Sequence, residues 1–335
     1  MRISFTGDAM RYMDRNTGYG QAAEMIYRSF KKLNIDCGYE IENPDIEICF
    51  SNPGGHYWLN ENSYHIAYSA WESTDLDWKS KRVMSQAHEL WGTSDWVETV
   101  WKTLFPNKPT FTYKHGIDER FKPMLRKSSN TPFTFLHIGE PSSRKDAQML
   151  TECFVELFGG DMDYRLVLKS SGLNTVKVKD PNNGYYASPN LAYKNIVCID
   201  SFLTNEQIVG LYGVCDVFVY PTWGEGFGFQ PLEALATGMP VISTVKWADY
   251  KRYVTFPVDS EYSYHPWNDV HQGLLLKPNR KNLKEQMVDA VNNYDDVLKD
   301  TFRNAFKIHQ DYDWLEITKG AVERLDYIYK NILRK

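Results

Sequence analysis

Residues 221–242 read PTWGEGFGFQPLEALATGMPVI, and this stretch decides the fold. An apolar run, VFVY (Val217 to Tyr220), precedes it, and a second apolar run, PVIST, closes it. The local pattern is strand, loop, helix, strand. The helix is expected to begin near Pro231, a residue favoured in a first turn. It is expected to stop at Gly238, a residue favoured just past a helix end. That makes a βαβ unit with Glu225 in the loop and Glu233 in the first helical turn. Ligands of open α/β sheets bind at this edge, outside the carboxyl ends of the strands. The competing local reading is a helix-start acid beside a structural turn.

The same grammar runs through the chain. RISFTG, IEICFSNP, HIAYSAWES, HELWGTSD and PTFTYKHGID read as strands with their exit loops, and Gln21 to Leu33 as a helix. SDWVETVWKTL starts on Ser94, a helix-start signal. A basic, proline-flanked stretch, Phe121 to Pro132, reads as a linker. Beyond it FTFLHIG, YRLVLKSS and NIVCIDSF read as strands. KDAQMLTECFVELF, NEQIVGLYGVC, Asn282 to Lys299 and WLEITKGAVERLDYIYKNIL read as helices. The expected architecture is therefore α/β, with two doubly wound, Rossmann-like domains facing a central cleft. The boundaries are 1–122 and 123–311, with a C-terminal helix within 312–335 packing back on the first domain. Two irregular pieces, Gly172 to Lys194 and the aromatic-rich Lys246 to Gly273 (including Trp267), are long enough to be functional loops.

Composition narrows the function. The chain has 335 residues, enough for two domains, with 42% hydrophobic and 24% charged residues, a soluble globular profile. A formal charge of -5 argues weakly against a polyanion partner. Cys37, Cys49, Cys153, Cys198 and Cys215 have no metal-ligand spacing and read as reduced core thiols of a cytoplasmic protein. No apolar run approaches the ~18 residues of a membrane span. The N-terminus reads as a strand rather than a signal peptide.

The opening stretch resembles the signature of retaining nucleotide-sugar glycosyltransferases of the GT-B fold, in particular family 4. That pattern places two glutamates around seven residues inside E-G-F-G-x-x-x-x-E-A-x-A-x-G-x-P-V-I, and here it reads EGFGFQPLEALATGMPVI. The resemblance implies that Glu225 accepts from sugar hydroxyls and Glu233 from the ribose of the nucleotide. The amides of Gly226, Phe227 and Gly228, with Thr222 nearby, would meet the sugar or diphosphate. NTGYGQAAEMIYRSF resembles the family's first glycine loop, so Gly18, Tyr19 and Gly20 would face the cleft; an ordinary loop before a helix is the alternative. KHGIDERFKP resembles the domain junction, with His115 where asparagine is common and hence structural. HIGEPSSRKDAQML resembles the loop carrying a basic pair for the diphosphate. Lys145 matches the lysine, but Glu140 stands where arginine is usual. Arg144 or Lys169 would then supply the missing charge, the alternative for Arg144 and Lys145 being a solvated helix start. SFLTNEQ resembles the nucleobase segment, around Phe202 and Leu203. Glu72, in SAWEST, is either an acceptor ligand or a buried ion-pair partner, and His56 either lines the cleft or is an ordinary satisfied histidine.

The reaction this implies is metal-independent and retaining. A sugar moves from a nucleoside diphosphate, UDP being the commonest choice, to an acceptor hydroxyl of a saccharide, a lipid-linked glycan or a modified DNA base. No cofactor is expected, the nucleotide-sugar being a co-substrate. The aspartates of DLD (Asp75 and Asp77) lack the context of a metal pair. Two alternatives stay open: a phage-type DNA glycosyltransferase acting on hydroxymethylated bases, and a nucleotide-sugar binding module without turnover. Glu140 motivates the second.

Overall fold

The computed structural model describes residues 1–13, 17–128, 131–170, 172–266 and 269–334. Trp267, Asn16 of the NTGYG stretch, Ser171 of YRLVLKSS, and Ser129 and Asn130 of the linker lie outside the described residues. The first sheet contains β1 (Ile3–Thr6), β2 (Cys37–Tyr39), β3 (Ile46–Phe50), β4 (Tyr64–Ser69), β5 (Glu89–Gly92) and β6 (Thr110–Thr112). Its order is β2-β1-β3-β4-β5-β6 and every pairing is parallel. The second half of the chain supplies β7 (Phe133–Ile138), β8 (Tyr164–Lys169), the small hairpin β9 (Val178–Lys179) and β10 (Tyr186–Ala187), and then β11 (Ile196–Ile199), β12 (Val217–Tyr220), β13 (Val241–Thr244) and β14 (Phe256–Val258). Its sheet, β11-β8-β7-β12-β13-β14, is again parallel. A second hairpin pairs β15 (Ser260–Tyr264) with β16 (Leu274–Pro278).

Parallel strands covered by helices on both faces read as unbroken apolar runs, and every residue of β1, β3, β12 and β13 is buried. The helix Gly18–Lys32 turns Ala22, Ala23, Ile26 and Phe30 onto the first sheet at helical spacing, with Lys31 and Lys32 at its negative end. The C-terminal helix Trp314–Ile328 packs beside it, placing Ala321, Leu325 and Ile328 in a core with Phe5 and Phe30. The linker belongs to the second domain from Met124 onward: Met124 donates to Thr237, and Arg126 donates to the carbonyls of Cys215 and Tyr212.

Three helical expectations need correction. The helix expected at Gln21 begins at Gly18, because Thr17 caps it by accepting from the Gly20 amide at 3.0 Å. The single helix expected over Asn282–Lys299 is two, Arg280–Asn292 and Tyr294–Asp311. The break falls at Asn293, whose side chain donates to Asp289 rather than continuing the apolar face. The helix expected at Pro231 begins two residues earlier, at Phe229. Pro231 is its third residue, where the missing N–H costs nothing because the first four have no partner inside the helix. Glu233 consequently lies in the second turn, not the first.

The carboxyl ends of both sheets face each other, and the domains touch there. Thr93 Oγ1 donates to the Gly226 carbonyl at 2.8 Å. Thr74 and Leu274 exchange bonds of 3.0 and 2.8 Å.

Candidate active site

Two cavities lie along the interdomain cleft. One, of 310 Å³, is walled by Thr17, Gly18, Tyr19, Ala70, Glu72 and His115 of the first domain and by Glu140, Arg144, Lys145 and Glu225–Gln230 of the second. The other, of 320 Å³, shares Thr17, Gly18, Phe229 and Gln230 with it and runs on to Lys169, Phe202, Leu203 and Glu233. The first domain's lining comes from the loop after β4, from His115 beyond the end of β6, and from the start of the helix Gly18–Lys32. The second domain's comes from the loops after β7, β11 and β12, with Lys169 at the end of β8. Both are the strand ends where an open α/β sheet gathers its ligands.

The loop after β12 is shaped by Gly228, whose φ of +79° lies in the left-handed region. A Cβ there would sit 2.6 Å from both the Trp247 ring and the Tyr250 hydroxyl. Tyr250 locks the turn by donating to the Gly228 carbonyl at 2.6 Å. The helix Phe229–Ala236 starts at once, without a side-chain cap, at the junction of the two cavities. Its free amides and dipole favour an anion at that point. Gly226 has a different reason to be glycine. A Cβ on it would lie 2.4 Å from the Ala70 Cβ and 2.8 Å from the Trp71 nitrogen, so the facing domain, rather than a ligand, fills that space.

Glu225 is buried and heavily supported. Arg144 Nη1 donates to its Oε1 at 2.6 Å, the Tyr220 hydroxyl donates at 2.9 Å, and Thr222 Oγ1 lies 3.2 Å away. Burial pushes its pKa up, but Arg144, Lys145 and these bonds outweigh that and hold it below the usual carboxylate range. Glu72 reaches in from the other domain, with Oε1 3.5 Å from Arg144 Nη2. Burial raises its pKa, Arg144 opposes the rise, and Glu225 adds to it. Glu233 accepts from the Tyr212 hydroxyl at 2.9 Å, and burial above all pushes its carboxyl up to about 7.

The remaining expected residues divide. Gly18 and Tyr19 line the first cavity, whereas the Gly20 amide serves the Thr17 cap. Lys169, Phe202 and Leu203 line the second, with Phe202 71% exposed. Lys145 lines the first with its Nζ 5.7 Å from the centre of the Tyr220 ring, and no carboxylate of the described residues forms an ion pair with it. Thr222 sits behind Glu225 and touches neither cavity. His56 lines neither: it is buried, with ring nitrogens 3.1 Å from the Pro53 carbonyl and 3.3 Å from that of Tyr68. Its role is to hold the loop after β3. Asp77 caps the helix Trp78–Met84 and Asp75 pairs with Lys81, so the DLD acids are structural. No group of three His, Cys, Asp or Glu among the described residues is placed to hold a metal ion.

Tyr220, Gln230 and Phe229 are site residues that sequence reasoning passed over. Tyr220 was detectable as the last residue of a strand at the carboxyl edge. His115, expected to be structural, lines the first cavity, stacked 5.0 Å from Phe229, and neither ring nitrogen has a hydrogen-bond partner among the described residues. Burial lowers its pKa to about 3, so it is neutral.

Comparison with known proteins places the chain in a class. The family described as glycosyl transferases group 1 matches residues 125–292, half of the chain, and the chain belongs to that family. A putative glycosyltransferase of Sulfolobus islandicus filamentous virus is 23% identical over 245 residues, covering 68% of this chain and 63% of that protein. The D-inositol 3-phosphate glycosyltransferase of Corynebacterium aurimucosum is 25% identical over 141 residues, 41% of this chain and 33% of its own. The chain thus spans less than two thirds of these curated relatives. Among solved structures, sucrose-phosphate synthase from Thermosynechococcus elongatus superposes with a TM-score of 0.68 at 13% identity, covering 98% of this chain and 100% of that one. Anabaena HepE, solved with UDP, gives 0.62 at 12% identity over 97% and 100%. At such identities the likeness is one of fold, and that fold is GT-B. No helix among the described residues is long and apolar enough to cross a membrane.

Proposed function

We propose that the chain is a retaining, family 4 glycosyltransferase that moves a sugar from a UDP-sugar to an acceptor hydroxyl. One observation carries the reading. Two cavities sharing four wall residues set Glu233 in one, Glu225 and Lys145 in the other, and an uncapped helix start between them. A nucleoside fits the second cavity with its ribose hydroxyls at Glu233. The diphosphate then crosses the helix start, and the sugar reaches Glu225. That HepE was solved with UDP supports the choice of nucleotide.

In the proposed step the bond from the anomeric carbon to the diphosphate oxygen breaks, and a bond to the acceptor oxygen forms on the same face. The departing oxygen takes the acceptor proton, so no protein nucleophile is used. Lys145, the loop amides and the helix dipole stabilise the leaving charge, and the step needs no metal. The contacts at Thr93–Gly226 and Thr74–Leu274 hold the two domains together beside the cleft. Calorimetry with UDP, GDP and ADP on the wild type and on Glu233→Ala tests the nucleotide site. Micromolar binding of UDP that the variant loses is expected, and binding of none of the three overturns the reading. Slow hydrolysis of a UDP-sugar separates an enzyme from a binding module.

A further inference from the structure

Arg144 stands beside Lys145 in sequence, and a basic pair there suggests two cations for one diphosphate. Their surroundings differ. Arg144 is 8% exposed, and its backbone carbonyl is pinned by the Trp223 amide at 2.9 Å. Its guanidinium donates to the Gly224 carbonyl and to Glu225 Oε1, and it faces Glu72 of the other domain at 3.5 Å. One guanidinium thus meets two carboxylates, and its charge is neutralised before any ligand arrives. Lys145 has no such ion pair.

The bonding of Glu225 shows what Arg144 achieves. Arg144 and Tyr220 both donate to Oε1, and no hydrogen bond from the described residues ends on Oε2. A carboxylate gripped by one oxygen in the cavity wall presents the other to whatever fills the cavity. A guanidinium suits this task because its planar fork fixes direction as well as charge. Glu72 adds a tie from the first domain, so the grip is complete only when the two domains are together.

Building on the donor reading above, we infer that Arg144 is a positioning residue of the sugar half of the site. It aims Glu225 at the sugar and ties it to Glu72 across the cleft, while Lys145 is the side-chain cation of the diphosphate.

The test compares UDP binding with UDP-glucose and UDP-N-acetylglucosamine hydrolysis in wild type, Arg144→Met, Arg144→Lys and Lys145→Ala. Arg144→Met is expected to hold the UDP dissociation constant within about twofold while kcat for hydrolysis falls at least tenfold. Arg144→Lys recovers part of that loss. Lys145→Ala weakens UDP at least tenfold. Equal loss of UDP affinity in Arg144→Met and Lys145→Ala makes Arg144 a phosphate ligand and overturns the inference. Unchanged UDP affinity and unchanged hydrolysis in Arg144→Met overturns it too. If Arg144→Met does not fold, Glu72→Gln takes its place, with UDP affinity held and kcat lowered at least threefold; unchanged kcat there refutes the tie across the cleft. Absence of nucleotide binding by the wild type overturns the donor reading itself, a result distinct from any of these.

Discussion

Replacing Glu233 by glutamine should stabilise the protein and weaken nucleotide binding at the same time. Burial, with Asp118 adding repulsion, raises this carboxyl from the ordinary 4.5 to about 7, and the Tyr212 bond, Arg120 and Lys145 only partly oppose it. The folded state therefore binds the proton more tightly than the unfolded chain does. The stabilising contribution is complete below pH 4.5 and is lost as the pH rises to about 7. Each pH unit of that gap is worth about 1.4 kcal/mol, so the whole is about 3 kcal/mol. Glutamine never ionises and keeps an acceptor for the Tyr212 hydroxyl. At pH 8.5 the variant should be more stable than the wild type by up to about 3 kcal/mol, and at pH 5 the difference should shrink to under about 1 kcal/mol. With an unfolding entropy of about 2.1 cal/mol/K per residue, that corresponds to roughly 4 °C in melting temperature. Scanning calorimetry from pH 5 to 8.5 reads the difference directly. Titration with UDP at pH 8 should show at least a tenfold loss, because a carboxylate accepts from two ribose hydroxyls and an amide oxygen from them less well. A stability difference that does not change with pH would refute the reasoning, since the carboxyl would then titrate alike in both states.

Other expectations follow from the same geometry. His115→Phe should raise the melting temperature without changing UDP affinity, because it removes two buried, unpartnered ring nitrogens that cost about 1–3 kcal/mol each; a loss of affinity would make His115 a ligand contact. His115 and His137 are held neutral down to about pH 3 and 4, while the unfolded chain takes up protons at 6.5. Stability should therefore fall as the pH drops below 6.5, as denaturant melts at pH 7.5 and 5 would show. Gly226→Ala would push a methyl against Ala70 and Trp71, so it should open the cleft, raise the radius of gyration in solution scattering and lower turnover. Arg324→Met should cost about 3–5 kcal/mol, because Glu89 is fully buried and its two oxygens accept from Arg324 at 2.9 and 2.7 Å; chemical denaturation measures it.

The two parallel sheets, and with them the carboxyl edges where the cavities lie, were legible because parallel strands leave an unmistakable trace. Runs such as VFVY and VIST are buried on both faces, and Gly238, with φ +80°, marks the helix end between them. Short pieces left less trace. The edge strand β2 has three residues, and the helix Trp78–Met84 has only two buried side chains, so neither shows a period. The site was legible in residue types but not in directions. Sequence assigns Arg144 a charge, but its partners, Glu225 and Glu72, come from distant loops of two domains. His56 sits in a glycine loop, as cleft residues do, yet its nitrogens turn to nearby carbonyls.

The two glycines around Phe227 show where a motif stops informing. Both permit close approach, and the sequence treats them alike. Gly228 is required by its own backbone angle and by Trp247 and Tyr250, neighbours within its domain. Gly226 is required by Ala70 and Trp71 across the cleft, and its carbonyl accepts from Thr93 of that same domain. The residue between them, Phe227, packs 5.1 Å from His115, again of the first domain. A loop that begins at Glu225 therefore holds the facing domain with two consecutive residues, Gly226 and Phe227, before its helix starts. Placing Glu225 and bringing the domains together are then one structural event, and Arg144, with a carboxylate from each side, sits where the two meet.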